Sequence, residues 1–128
     1  MNISLGRVVI LVEDYDAALL FYEKNLGAKK IADYTAGNQR FLHIGFSGGG
    51  AGIWFLAADG PEQESLIGNQ THQQPTLVMY TDEFENLHER LRKNGVTINR
   101  PPVYGPDSWY LHFLDLYGNE IVLVQLIG

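Results

Sequence analysis

The sequence has no cysteine among its 128 residues. Disulfides, thiolate nucleophiles and cysteine-ligated zinc are therefore excluded. Basic residues are few: nine Lys and Arg stand against fifteen Asp and Glu, for a net charge of −6 and a pI near 5.0. A nucleic-acid binder normally concentrates Lys and Arg on one face; here they are scattered, so no nucleic-acid partner is expected. No apolar run approaches the roughly 20 residues needed to span a bilayer, so no membrane partner is expected either. Met1 to Gly6 lacks a basic segment followed by an apolar core, and the expectation is a cytoplasmic protein. No Gly-x-Ser-x-Gly elbow is present. Gly48-Gly49-Gly50 lacks the Lys-Ser/Thr of a phosphate loop and precedes a strand, so it reads as a hairpin.

What is present is ordinary globular composition, 45% hydrophobic and 19% charged, in a length suited to one domain. Arg7 to Val12 (RVVILV) is a short, β-branched run of the kind that forms a buried strand. Acidic residues follow at Glu13, Asp14 and Asp16, as at a helix start. Ala17, Ala18, Leu20, Phe21 and Leu26 then give an amphipathic helix that Gly27 stops. Three strands are expected next, at Lys30 to Thr35, Arg40 to Phe46 and Gly52 to Ala57. Residues 59–74 are polar and read as a linker with room for one helical turn. The pattern then restarts: a strand at Thr76 to Thr81, a helix over Asp82 to Asn94 stopped by Gly95, and a strand opening at Val96 to Asn99. Pro101-Pro102 forces extended backbone or an edge position. Trp109 to Leu114 and Glu120 to Gln125 are the last strands.

The restart is an internal repeat. Phe41-Leu42-His43-Ile44 matches Tyr110-Leu111-His112-Phe113 at a spacing of 69 residues, and the same shift carries Arg7 onto Thr76. Lys24-Asn25 matches Lys93-Asn94. The expected class is α+β, with two βαβββ modules at 1–58 and 75–128.

Four stretches carry a family resemblance. Val12-Glu13-Asp14-Tyr15-Asp16-Ala17-Ala18, with Phe21-Tyr22 and Leu26-Gly27, resembles the opening of the vicinal oxygen chelate superfamily, which includes glyoxalase I, extradiol dioxygenases, and fosfomycin and bleomycin resistance proteins. Asp82-Glu83-Phe84 and Gly95-Val96 resemble the start and end of that family's second helix. Asp115-Leu116-Tyr117-Gly118-Asn119-Glu120-Ile121 resembles its late turn, with Leu116 in place of proline. The resemblance implies two curved sheets enclosing a cup, a small-molecule ligand, and a homodimer. Metal-dependent members hold their ion on His, Gln and Glu at four strand positions. The resemblance places Arg7, Trp54, Thr76 and Val122 there, none a good divalent-metal ligand. No metal and no cofactor are therefore expected, and no catalytic residue is assigned.

Strand alternation groups Arg7, Val9 and Leu11; Gly52, Trp54 and Leu56; Thr76, Val78 and Tyr80; and Glu120, Val122 and Val124. In the family register these groups line the cup. The candidate ligand contacts are Arg7, Trp54, Thr76, Tyr80, Trp109 and Glu120. Arg7 is the one fixed positive charge, with Glu120 a possible partner. Tyr104 to Tyr110, rich in Gly, Pro and aromatics, is a candidate rim. His43 and His112 occupy equivalent strands and read first as packed or solvated side chains; His88 reads as solvated helix surface, and His72, in the linker, is assigned no role. Three functions stay open: a metal-free protein sequestering a planar or amphipathic ligand, a metal-dependent lyase, isomerase or fosfomycin-type transferase, and a structural dimer with a filled cup.

Overall fold

The computed structural model describes all 128 residues. The chain divides into two compact units, Met1–Ile67 and Gly68–Gly128, and the class is α+β.

In the first unit, β1 (Arg7–Val12) leads into α1 (Tyr15–Leu26), followed by β2 (Lys29–Ala36), β3 (Gln39–Gly45) and β4 (Gly52–Ala57). The sheet order is β1-β4-β3-β2: β1 runs parallel to β4, and the other pairs are antiparallel. Asp14 caps α1, its carboxylate accepting from the backbone N–H of Asp16 and Ala17 at 2.9 and 3.1 Å. Gly27 ends the helix with φ 68°, a left-handed conformation that glycine adopts without penalty. Ala18, Leu19 and Tyr22 of the helix are buried, as are Ile10, Val12, Leu42, Ile44, Ile53 and Phe55 of the sheet. The Tyr22 and Phe55 rings meet edge to face at 5.3 Å. One sheet face is thus covered by α1. A single helical stretch, α2 (Gly60–Glu64), opens the segment expected as a linker.

The second unit repeats the plan: β5 (Pro75–Tyr80), α3 (Phe84–Lys93), β6 (Ile98–Tyr104), β7 (Ser108–Leu114) and β8 (Glu120–Leu126), in the order β5-β8-β7-β6. Phe84 and Leu91 of α3 are fully buried, as are Leu111, Phe113, Ile121 and Leu123 of the sheet. The helix begins two residues later than the acidic run suggests. Thr81 accepts from the Glu83 N–H, and the Gln125 side chain accepts from the Phe84 N–H, so these side chains satisfy the first amides in place of another turn. The tandem proline lies inside β6, which is an edge strand. The ladder passes from Arg100–His112 to Val103–Tyr110 and leaves Pro101 and Pro102 in an irregularity, where their missing N–H groups cost nothing.

The turn from β7 to β8 is held by one buried carboxylate. Asp115 accepts from the backbone N–H of Tyr117 and Asn119 and from the Asn119 side chain, at 2.9–3.0 Å. Gly68 lies against this turn so closely that a Cβ there would stand 1.8 Å from the Tyr117 carbonyl oxygen.

Candidate functional site

Each sheet has a second face without a helix, and the alternation of side chains decides what stands on it. In the first sheet, Arg7 pairs with Gly52, Val9 with Trp54, and Trp54 with His43. On β3, Phe41 and His43 alternate with the buried Leu42 and Ile44. The result is a row of rings across three strands. Tyr34 stacks on Phe41 at 5.1 Å, Phe41 meets Trp54 at 5.9 Å, and Trp54 meets His43 at 5.3 Å. Arg7 closes the row, its Nε donating to His43 Nδ1 at 3.0 Å and its Nη1 to the Gly6 carbonyl at 2.8 Å.

That first bond settles the protonation of His43. A guanidinium only donates, so Nδ1 accepts, and the neutral ring carries its proton on Nε2. Burial, and secondarily the Arg7 charge, hold the His43 pKa below its ordinary value of 6.5. Both His43 Nε2 and Trp54 Nε1 are buried without a hydrogen-bond partner. Two neighbouring N–H donors therefore have no acceptor, and each unpaired buried donor costs about 1–3 kcal/mol.

The second sheet's uncovered face carries a different set. Val78 and Tyr80 are 56% and 69% exposed. His112 pairs across the ladder with Val122, and Tyr110 with Val124. Glu120 accepts from His112 Nδ1 at 2.5 Å, with both side chains at least four-fifths buried. Thr76 falls where the β5–β8 register shifts, between Pro75 and Leu77, and its hydroxyl lies 3.2 Å from that of Thr71. Thr76 and Glu120 line a recess of about 210 Å³ with Gly68, Thr71, Gln73, Gln74, Leu114 and Gly118. His72 and Gln73 hold positive φ, 53° and 69°, in the segment that walls it.

The six candidate contacts are thus distributed. Arg7 and Trp54 stand together on the first sheet. Tyr80 and Glu120 stand on the uncovered face of the second, and Thr76 at its register shift. Trp109 does not join them. It is out of phase with Tyr110 and His112 and packs on the helix side, edge to face with Phe84 at 6.2 Å and with Tyr104 at 5.2 Å. Its sequence neighbours Leu111 and Phe113, both buried, share its phase and give the reason. Tyr104, the other rim aromatic, donates to Glu85 at 2.6 Å, and that bond raises the phenol pKa. Arg7 and Glu120 are each partnered within their own unit, by His43 and His112.

The positions that the family resemblance assigns to metal do not fit one. Arg7 is a cation already bonded to His43, Trp54 and Val122 offer no lone pair, and the Thr76 hydroxyl is engaged with Thr71. No three His, Asp or Glu side chains gather into a ligand set. No helix is long and apolar enough to cross a membrane.

Two βαβββ units of like strand order, each with one helix-free face, define a glyoxalase-type protein. The family model of the Glyoxalase/Bleomycin resistance protein/Dioxygenase superfamily matches residues 4–123, and the chain belongs to that superfamily. An uncharacterized protein of Shewanella frigidimarina is 33% identical over 98% of this chain and 96% of its own length. Among solved structures, UcmS2 superposes with a TM-score of 0.82 at 28% identity, over 97% of this chain and 98% of that one. TnmS3, an antibiotic binding protein from Streptomyces sp. CB03234, superposes with a TM-score of 0.81 at 23% identity, over 99% of each chain.

Proposed function

We propose that this protein binds and sequesters a small planar organic molecule bearing a hydrogen-bond acceptor, on the helix-free face of its first sheet, without a metal. The observation that carries this reading is the row of rings from Tyr34 through Phe41 and Trp54 to His43, closed by the exposed Arg7 guanidinium. A guanidinium donor and a row of rings suit a flat body with a carbonyl or anionic oxygen. Stacking supplies affinity, and the guanidinium supplies orientation. The chemistry of Arg7, Trp54, Thr76 and Val122 supports binding without a divalent ion. TnmS3, a fold relative, is itself described as binding an antibiotic. The reading extends to a homodimer, because the second sheet leaves Val78 and Tyr80 largely exposed on a face that a second copy would cover.

Calorimetric titration with planar aromatic carbonyl compounds, 1,4-naphthoquinone first, in the presence of EDTA, tests the proposal. Arg7→Ala keeps the rings and removes the exposed donor. It should weaken binding by about 2- to 13-fold, the size of one net hydrogen bond of 0.5–1.5 kcal/mol. Binding that requires an added divalent metal, or that is equal in wild type and Arg7→Ala, would overturn it. Light scattering that finds only monomer at micromolar concentration would remove the dimer.

A further inference from the structure

The 69-residue repeat places His43 and His112 on equivalent strands, yet their partners differ in kind. Beside Arg7 on the neighbouring strand lies Gly52, which presents no side chain, and the guanidinium reaches past it to His43 on β3. In the second module the position matching Gly52 is Glu120, which opens β8 and pairs with the first residue of β5. Glu120 reaches His112 directly, and the 69-residue shift of the repeat puts Thr76 at the place of Arg7.

The consequence is opposite tautomers. An ionised carboxylate only accepts, so His112 must donate from Nδ1, and in the neutral ring the lone pair is on Nε2. His43 is the reverse, a donor at Nε2. The Nε2 of His112 has no partner and, unlike that of His43, is not sealed from solvent. Tyr110 lies beside the imidazole, its ring 6.1 Å away. Glu120 also walls the recess beside Thr76.

We propose that the His112–Glu120 pair is a built receptor for an acidic hydroxyl, phenolic or enolic, on a planar ligand. His112 Nε2 accepts the hydrogen bond from that O–H, and Glu120 holds the imidazole in the accepting tautomer. The pair belongs to the second module, and its polarity is opposite to that of the Arg7–His43 pair of the first. A ligand that carries only acceptors suits the first and not this one.

Two measurements on the intact chain test it. In ¹⁵N-edited NMR of the uniformly labelled protein, neutral His112 should show its proton on Nδ1 and neutral His43 on Nε2. A proton on Nε2 of neutral His112 would overturn the proposal without any variant. In titrations, 1-naphthol should bind roughly tenfold more tightly than its methyl ether, 1-methoxynaphthalene, which lacks the donor. His112→Phe, checked for an unchanged melting profile, should bring naphthol down to the ether's affinity. Equal affinities for the two probes in the wild type, binding of neither, or a naphthol preference that survives His112→Phe would each refute the site. None of these outcomes touches the first sheet, whose donors do not distinguish a phenol from its ether by donation.

Discussion

Replacing Gly68 by alanine should unfold the protein far more readily than any ordinary glycine-to-alanine change. Gly68 has φ +71°, and its added Cβ would stand 1.8 Å from the Tyr117 carbonyl oxygen and 2.7 Å from the carbonyl carbon. Gly37 supplies the internal control, because it has φ +62° but nothing within 4 Å of its Cβ. The two positions share the left-handed backbone penalty, about 1–2 kcal/mol for a residue with a Cβ. Only Gly68 adds a collision, and it is with backbone rather than with the yielding end of a side chain. The strand-to-strand turn it meets cannot retreat cheaply, since Asp115 ties Tyr117 and Asn119 in place. Overpacking of this kind costs about 1–3 kcal/mol. Gly37→Ala should therefore lose about 1–2 kcal/mol and Gly68→Ala about 2–5 kcal/mol. Urea unfolding followed by circular dichroism measures both on one scale. If the two variants lose the same stability, the close approach is not a constraint and the reasoning fails.

Two titrations follow from the first unit. The His43 pKa lies below 6.5, so the unfolded chain binds this proton more readily than the folded one. Its contribution to stability should be complete above pH 6.5 and lost as the pH falls through the lower folded value. Arg7→Met should raise the His43 pKa in an NMR titration but not restore it fully, because burial is the larger cause. Asp33, hydrogen-bonded to Arg40 and Lys30, has its pKa lowered to about 2 from 3.8. Its contribution should be present above 3.8 and lost as the pH falls through 2. Arg40→Ala should return the Asp33 carboxyl most of the way toward 3.8, read from its ¹³C shift; a carboxyl that does not move would show that Arg40 is not its main partner.

The order of elements was legible because each module repeats the same cues: a β-branched strand, acidic residues, a helical stripe and a glycine stop. Strand alternation also placed Arg7 and Trp54 on one face. Trp109 was misplaced because its neighbours in the turn, Gly105 and Pro106, drew it into a rim. The alternation with buried Leu111 and Phe113 already set it on the helix side. The repeat brought His43 and His112 to notice, but nothing local says what either one bonds. Arg7 lies 36 residues from His43, and Glu120 lies eight residues from His112 across a turn. Tautomer is a tertiary property, written by whichever charge the sheet brings alongside. Tyr34 and Phe41 escaped notice for a similar reason: the stack exists only once β2 and β3 are in register.

The tandem proline in β6 has a bearing on the fate of the chain in crowded or slowly folding conditions. An unpaired sheet edge is a template on which another chain can grow an amyloid-like ladder. At the β6 edge two consecutive residues have no N–H to offer, and the register is broken at the same place. A strand arriving there finds no continuous ladder to copy. The second sheet therefore ends at β6 by chemistry as well as by topology, and self-association through that edge is blocked before any side chain is consulted.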